Sequence, residues 1–243
     1  IQAGFFIFAS SLKTDKVTDF SYSLSFIVMS IVYLTINKAY DPVRIIISAM
    51  IVVWGFRLGG YLFYRIIKIG KDDRFDDKRG NFVKFLGFWI LQAFTVWLVM
   101  LPSVTAFSLS SELPVSPAAV IGFILWLAGF IIEIIADAQK FSFKNDPSNR
   151  GKWIDRGIWR FSRHPNYFGE SLLWWGIFII ILPSLSGLLY LTAIGPFFIT
   201  VLLLFVSGIP LLEKSADDRY GTNPEYIEYK RKTSIFFLLP QKK

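Results

Sequence analysis

Between residues 117 and 141 the chain reads PAAVIGFILWLAGFIIEIIADAQKF, an apolar run long enough for the ~20 residues that a helix needs to cross a bilayer. Comparable runs recur at 1–10, 19–37, 42–67, 82–107, 166–182 and 188–212. The composition agrees with this pattern, since 53% of the 243 residues are hydrophobic against roughly 45–50% in soluble domains. The expectation is an all-α polytopic membrane protein with about seven transmembrane helices, organised as one domain over residues 1–243. The short PSLSG turn at 183–187 predicts that the last two spans form an antiparallel hairpin. Because the chain opens inside an apolar run, IQAGFFIFA, its true start is expected upstream, and no signal peptide is read into it.

Lys and Arg concentrate in the cytoplasmic loops of membrane proteins. Alternating the spans sends the basic residues of the segments at 13–16, 65–84 and 140–163, and those of the tail after 213, to one side. The other side receives only Lys38 and Arg44, and the SLSSELP and PSLSG loops carry no basic residue. This places the C-terminus in the cytoplasm. Topology thus accounts for most of the net charge of +8, which forms no stripe on a soluble module and excludes a nucleic-acid partner. With no cysteine, one histidine and no HExxH, neither a disulfide framework nor a zinc site is expected.

Topology does not explain the ionisable groups inside the spans, each costing about 2.5–3.5 kcal/mol or more at membrane depth. Glu133 and Asp137 lie four residues apart on one helix face, which Lys140 and Lys144 continue. Arg57, Tyr61 and Arg65 form a second face, beside Gly59 and Gly60, which would admit a neighbouring helix. Asn166 and Glu170 form a third. Each pair could serve only as interhelical glue, but three such faces toward the basic side favour a polar cavity open to the cytoplasm. Cations at its mouth suit phosphates, and deeper carboxylates and amides suit ribose hydroxyls and a carboxamide. A phosphorylated dinucleotide meets both demands, with neither GxGxxG nor a Walker sequence present to hold it. By chemistry alone, another nucleotide, an anionic lipid headgroup or S-adenosylmethionine is equally admissible.

The segment RFSRHPNYFGE at 160–170, running into LLWWG, resembles the signature of the membrane-embedded steroid 5-alpha-reductase and sterol-reductase superfamily. WGFRLGGYLFYR, GKDDRF, LQAFTVWLVMLP, EIIADAQKFSFK and EYKRKTSIFFLLP resemble a bacterial branch of that superfamily with no assigned function, in the same order along nearly the whole chain. The resemblance implies a reductase of the bacterial inner membrane that holds NADPH in a cytoplasm-facing cavity, mainly within residues 130–243. By that resemblance, Asp137 and Glu133 contact polar groups of the cofactor and Lys144 lies near its phosphates. Arg163, His164, Asn166, Tyr167 and Glu170 belong to the motif beside the nicotinamide and its ribose. Arg65, Asp73 and Arg74 close over the cofactor, and Glu213 and Asp217 line it from the helix after the last span. His164 has a simpler role available, anchoring the helix entrance that Pro165 favours. Trp174 and Trp175 read as packing or interfacial residues.

The implied reaction is hydride transfer from NADPH to the C=C bond of an apolar lipid or steroid-like enone entering from the bilayer, with Tyr61 as the proton donor. The chain lacks the Gln-Glu dipeptide of steroid 5-alpha-reductases, so a steroid substrate is not implied by the motif alone. Isoprenylcysteine carboxyl methyltransferases share a similar RHP-Y segment. A methyltransferase using S-adenosylmethionine and a noncatalytic lipid-binding protein are therefore the competing readings.

Overall fold

The structure, a computed structural model, describes residues 1–69, 76 and 80–242. It is all-helical, with 77% of residues in helix and no strand among the described residues. The helices are α1 (Gln2–Ser11), α2 (Thr18–Ile36), α3 (Pro42–Ile69), α4 (Phe82–Val99), α5 (Leu101–Ser108), α6 (Pro117–Asn145), α7 (Pro165–Ile181), α8 (Ile194–Val201), α9 (Ile209–Tyr220) and α10 (Pro224–Lys232). Among the described residues, six segments are long and apolar enough to cross a membrane, close to the seven expected. The remaining one, α1, has 10 residues and a length of about 15 Å, half a hydrocarbon core.

Two expected spans are interrupted. The run at 82–107 breaks at Met100 between α4 and α5, because Pro102 has no N–H for the carbonyl of Leu98 and its ring crowds that position. The last run begins as a 3-10 segment, Gly187–Ala193, and then passes through α8. A π-helical turn, Leu202–Val206, leads to the amphipathic α9, whose first turn contains Pro210.

The chain forms two compact units, one of residues 1–116 and 181–195, the other of 117–180 and 196–243. In the first, α2 and α3 pack closely because Gly55 and Gly59 present no Cβ. A Cβ on Gly55 would meet Ile27 at 2.6 Å, and one on Gly59 would meet Ser23 at 3.0 Å. Gly60, expected on the same contact, faces open space. Phe26 packs edge-on against Trp54 at 5.2 Å, and Ser30 bonds Ser48 across the two helices at 3.0 Å. Gln92 of α4 donates to Gln2 and to Ser21, so the polar atoms facing α1 and α2 are paired inside the unit. Arg44, beside Asp41 at the start of α3, is 5% exposed. It pairs with Asp41 at 3.0 Å and donates to the carbonyls of Ala106, Leu109 and Ser111, capping the end of α5.

In the second unit α6 and α7 run antiparallel on a glycine seam. Gly129 faces the carbonyl of Gly169 and Gly122 that of Gly176, so that a Cβ on either α6 glycine would stand 2.5 Å from the opposing oxygen. Backbones this close are the geometry small residues permit in membranes. The expected hairpin is visible where the indole N–H of Trp175 donates to Thr200 at 3.2 Å. The 3-10 turn Gly157–Arg160 docks on α6 through Trp159 Nε1 to the Ala136 carbonyl and Ile158 N–H to Gln139. The C-terminal segment then straps the loop before α7. Ser162 Oγ donates to the Phe236 carbonyl, Arg163 N–H to Ser234, and Leu239 N–H to Phe161.

Candidate functional site

The strap and the docked turn hold Arg163 and His164 at the entrance of α7, against α9 and α10. Here a cavity of about 160 Å³ is lined by the end of α6 (Lys140, Phe143, Lys144), by Lys152, Trp153, Ile154 and Trp159, by Arg163 and His164, and by residues of α9 and α10. Five lining residues, Lys140, Lys144, Lys152, Arg163 and Arg219, are basic, and one, Glu213, is acidic. The rest of the wall is largely aromatic, with Trp153, Tyr220, Tyr226 and Tyr229 beside the charges.

Glu213 is the electrostatic centre. It meets His164 Nε2 at 2.8 Å, Arg163 at 3.3 Å and Lys230 at 3.2 Å, while Lys230 also bonds Asp217 at 2.6 Å. His164 is 5% exposed, and burial holds its pKa below the ordinary 6.5, an effect that Glu213 opposes and Lys140 and Arg163 reinforce. The imidazole is therefore neutral at pH 7. Its carboxylate partner assigns the proton to Nε2, leaving Nδ1 as an acceptor, which is buried and has no hydrogen-bond partner. Tyr226 donates to Asp217 and Tyr229 to the Trp159 carbonyl. Burial, the leading cause for both, pushes the two phenols above their ordinary range and keeps them protonated.

The residues expected from the sequence divide by location. Lys144, Arg163, His164 and Glu213 converge on the cavity. Asp217 sits on the same helix as Glu213, tied to Lys230 and Tyr226, and Tyr167 stacks on the His164 ring at 5.8 Å. Glu133 and Asp137 are buried on α6, N-terminal to Lys140, and do not line the cavity. Asn166 and Glu170 lie on the first turns of α7, also off the cavity wall, and the buried Oδ1 of Asn166 has no hydrogen-bond partner. Tyr61 and Arg65 lie on α3 in the first unit. There the Arg57 guanidinium is 5.7 Å from the Tyr61 ring centre and Arg65 pairs with Asp19 at 3.7 Å. Asp73 and Arg74 lie outside the described residues.

Sequence reasoning did not place Lys152, Trp153, Arg219, Tyr220, Tyr226, Tyr229 or Lys230 at a site. A signal existed for α10, where Tyr226 shares a helix face with Tyr229 and Lys230. By charge alone, the basic residues of this tail count as topology.

These features define a class, an all-helical integral membrane protein with a basic, aromatic-walled cavity at the entrance of a late helix. The chain belongs to the family described as protein of unknown function (DUF1295), whose profile matches residues 5–233. It is also similar to the probable O-methyltransferase ustE of Ustilaginoidea virens, 29% identical over 83 residues, which cover 34% of this chain and 28% of that protein. A second relative is the uncharacterized protein C594.04c of Schizosaccharomyces pombe, 25% identical over 166 residues, covering 61% of this chain and 47% of that protein. The matches thus span less than half the length of each of these relatives. No solved structure matches the chain significantly.

Proposed function

We propose that the protein is an NADPH-dependent membrane reductase acting on the C=C bond of an apolar, enone-bearing lipid. The observation that carries this reading is the charge of the cavity wall, five basic side chains against one carboxylate. A polyanionic dinucleotide gains from such a wall, whereas the sulfonium of S-adenosylmethionine is repelled by it. The resemblance of the RHPNYFGE segment and its neighbours to the steroid 5-alpha-reductase and sterol-reductase superfamily supports the same cofactor.

The residues present fit one end of that cofactor. A cavity of about 160 Å³ is smaller than the ~300–1,000 Å³ that buries a drug-sized ligand, so it takes a part of a dinucleotide and not the whole. Lys140 and Lys144 at the end of α6 hold phosphate oxygens, and Arg163, oriented by Glu213, adds a planar donor. His164 Nδ1 at the wall would accept from a hydroxyl, and Asn166 Oδ1, off the wall on the first turn of α7, from the part of the cofactor that the cavity does not take. The chemistry that NADPH supplies when bound is a hydride for an electron-poor carbon. The enone oxygen requires a proton as well, and Tyr61 on α3 is the donor inferred from the sequence.

Methyl transfer from S-adenosylmethionine is the second reading, favoured by the match of 83 residues to a protein named as a probable O-methyltransferase. Thermal shift of the purified protein in detergent separates the two, since a ligand selective for the folded state raises its apparent stability. A shift with NADPH and none with S-adenosylmethionine supports the reductase. The reverse result replaces it with the methyltransferase.

A further inference from the structure

We propose that Lys152 and Arg219, with the adjoining aromatic rings of Trp153 and Tyr220, form a subsite for the phosphorylated adenosine end of the cofactor and set its preference for NADPH over NADH. This rests on the reading that the cavity holds a nucleotide cofactor.

Two cation–aromatic dipeptides, Lys152-Trp153 and Arg219-Tyr220, meet at this edge of the cavity. The Tyr220 hydroxyl donates to the Lys152 carbonyl at 3.1 Å, and the Trp153 and Tyr220 ring centres are 5.7 Å apart. The hydrogen bond fixes the loop after α6 to the end of α9, so the two cations share one rim. An exposed lysine or arginine alone is an ordinary solvated charge. This pair differs from Arg163 in what surrounds it. Arg163 is compensated by Glu213, and Lys140 lies 4.7 Å from the Trp159 ring centre. Lys152 and Arg219 have no ion-pair partner among the described residues. Two cations of the wall thus stand together on this rim, in reach of a phosphate dianion.

The aromatic side of the rim specifies what the phosphate is attached to. Trp153 also packs against Tyr226 at 5.2 Å, and its indole N–H is buried with no acceptor. A purine supplies a flat face for these rings. A phosphate on the adenosine ribose is what distinguishes NADPH from NADH and from S-adenosylmethionine, so the cation pair would discriminate among them.

The test is calorimetric titration of the full chain in detergent with adenosine 2′,5′-bisphosphate, NADPH, NADH and S-adenosylhomocysteine. The parent is expected to bind the bisphosphate, and the Lys152→Ala/Arg219→Ala double variant to bind it and NADPH about tenfold or more weakly, with NADH changed less than about threefold. Trp153→Leu should weaken all adenosine-bearing ligands together. A double variant that keeps the parent's affinity for both phosphorylated ligands overturns the subsite while leaving the reductase reading intact. A parent that binds neither NADPH nor the bisphosphate overturns both. Binding of S-adenosylhomocysteine that depends on Trp153 but not on the cations would remove the phosphate from the assignment.

Discussion

Glu213 Oε1 lies 2.8 Å from His164 Nε2, and the second oxygen of the same carboxylate holds Arg163 at 3.3 Å and Lys230 at 3.2 Å. One side chain of α9 thus ties down the loop before α7 and the last helix. Its removal would leave Arg163 and the imidazole without their carboxylate, while Lys230 keeps Asp217. Hydrogen bonds to charged groups contribute about 1.5–3 kcal/mol, and partial solvent access (17% side-chain exposure) moderates the total. Glu213→Ala should therefore cost about 2 kcal/mol, lowering the Tm in detergent by roughly 4–8 °C. Glu213→Gln retains the acceptor for His164 and should lose less than half as much. An unchanged Tm for the alanine variant would contradict the arrangement.

The buried imidazole has a pH signature. His164 is the only histidine, and its pKa in the folded protein is below 6.5, chiefly through burial. The unfolded chain therefore binds more protons than the folded one just below pH 6.5. The contribution to stability is complete above the unfolded value and is lost as pH falls toward the folded one. Thermal unfolding of the parent should show a Tm declining between pH 7.5 and 5.5, and His164→Asn should flatten that slope. A parent profile as flat as the variant's would mean that the imidazole is not held neutral.

The reciprocal approach of Gly129 and Gly169 sets the spacing of α6 and α7, and with it the entrance that carries His164. A Cβ at Gly129 would stand 2.5 Å from the Gly169 carbonyl and 2.8 Å from Leu173 N, atoms of backbone that cannot rotate away. Gly129→Ala should destabilise at the upper end of the ~1–3 kcal/mol typical of overpacking. Gly60→Ala, with nothing within 4 Å of the added carbon, should be neutral or slightly stabilising, because alanine is the better helix former. Equal loss of monodisperse protein on size exclusion for the two variants would count against the seam.

How far the sequence could be read depended on what kind of signal each residue carried. Long apolar runs announced the spans, and the breaks within two of them follow from local chemistry, such as Pro102 withholding a donor from Leu98. The motif residues Arg163 and His164 and the more distant Lys144 and Glu213 were legible as candidates, and they do share a cavity. Charge counting did not foresee the burial of Arg44, since a charge at a span boundary counts identically for topology whether it meets water or caps three carbonyls. Lys152, Trp153, Arg219 and Tyr220 carried no pattern of their own. Their meeting is set by a loop and a helix end 68 residues apart, a separation that no local periodicity records.

Asn166 offers the sharpest separation of fold from function. Its Oδ1 is buried on the first turn of α7 with no hydrogen-bond partner, and such an unpaired group costs about 1–3 kcal/mol in the folded protein. Removing it should leave stability unchanged or raise it, whereas loss of a purely structural hydrogen bond would lower it. Under the proposed function the same atom accepts from the cofactor, so Asn166→Ala should bind NADPH about tenfold more weakly while its Tm without ligand stays at or above the parent's. Asp137→Ala, buried on α6, is predicted to weaken NADPH binding in the same direction while the protein stays folded. If both variants bind NADPH with the parent's affinity, neither side chain belongs to the cofactor site.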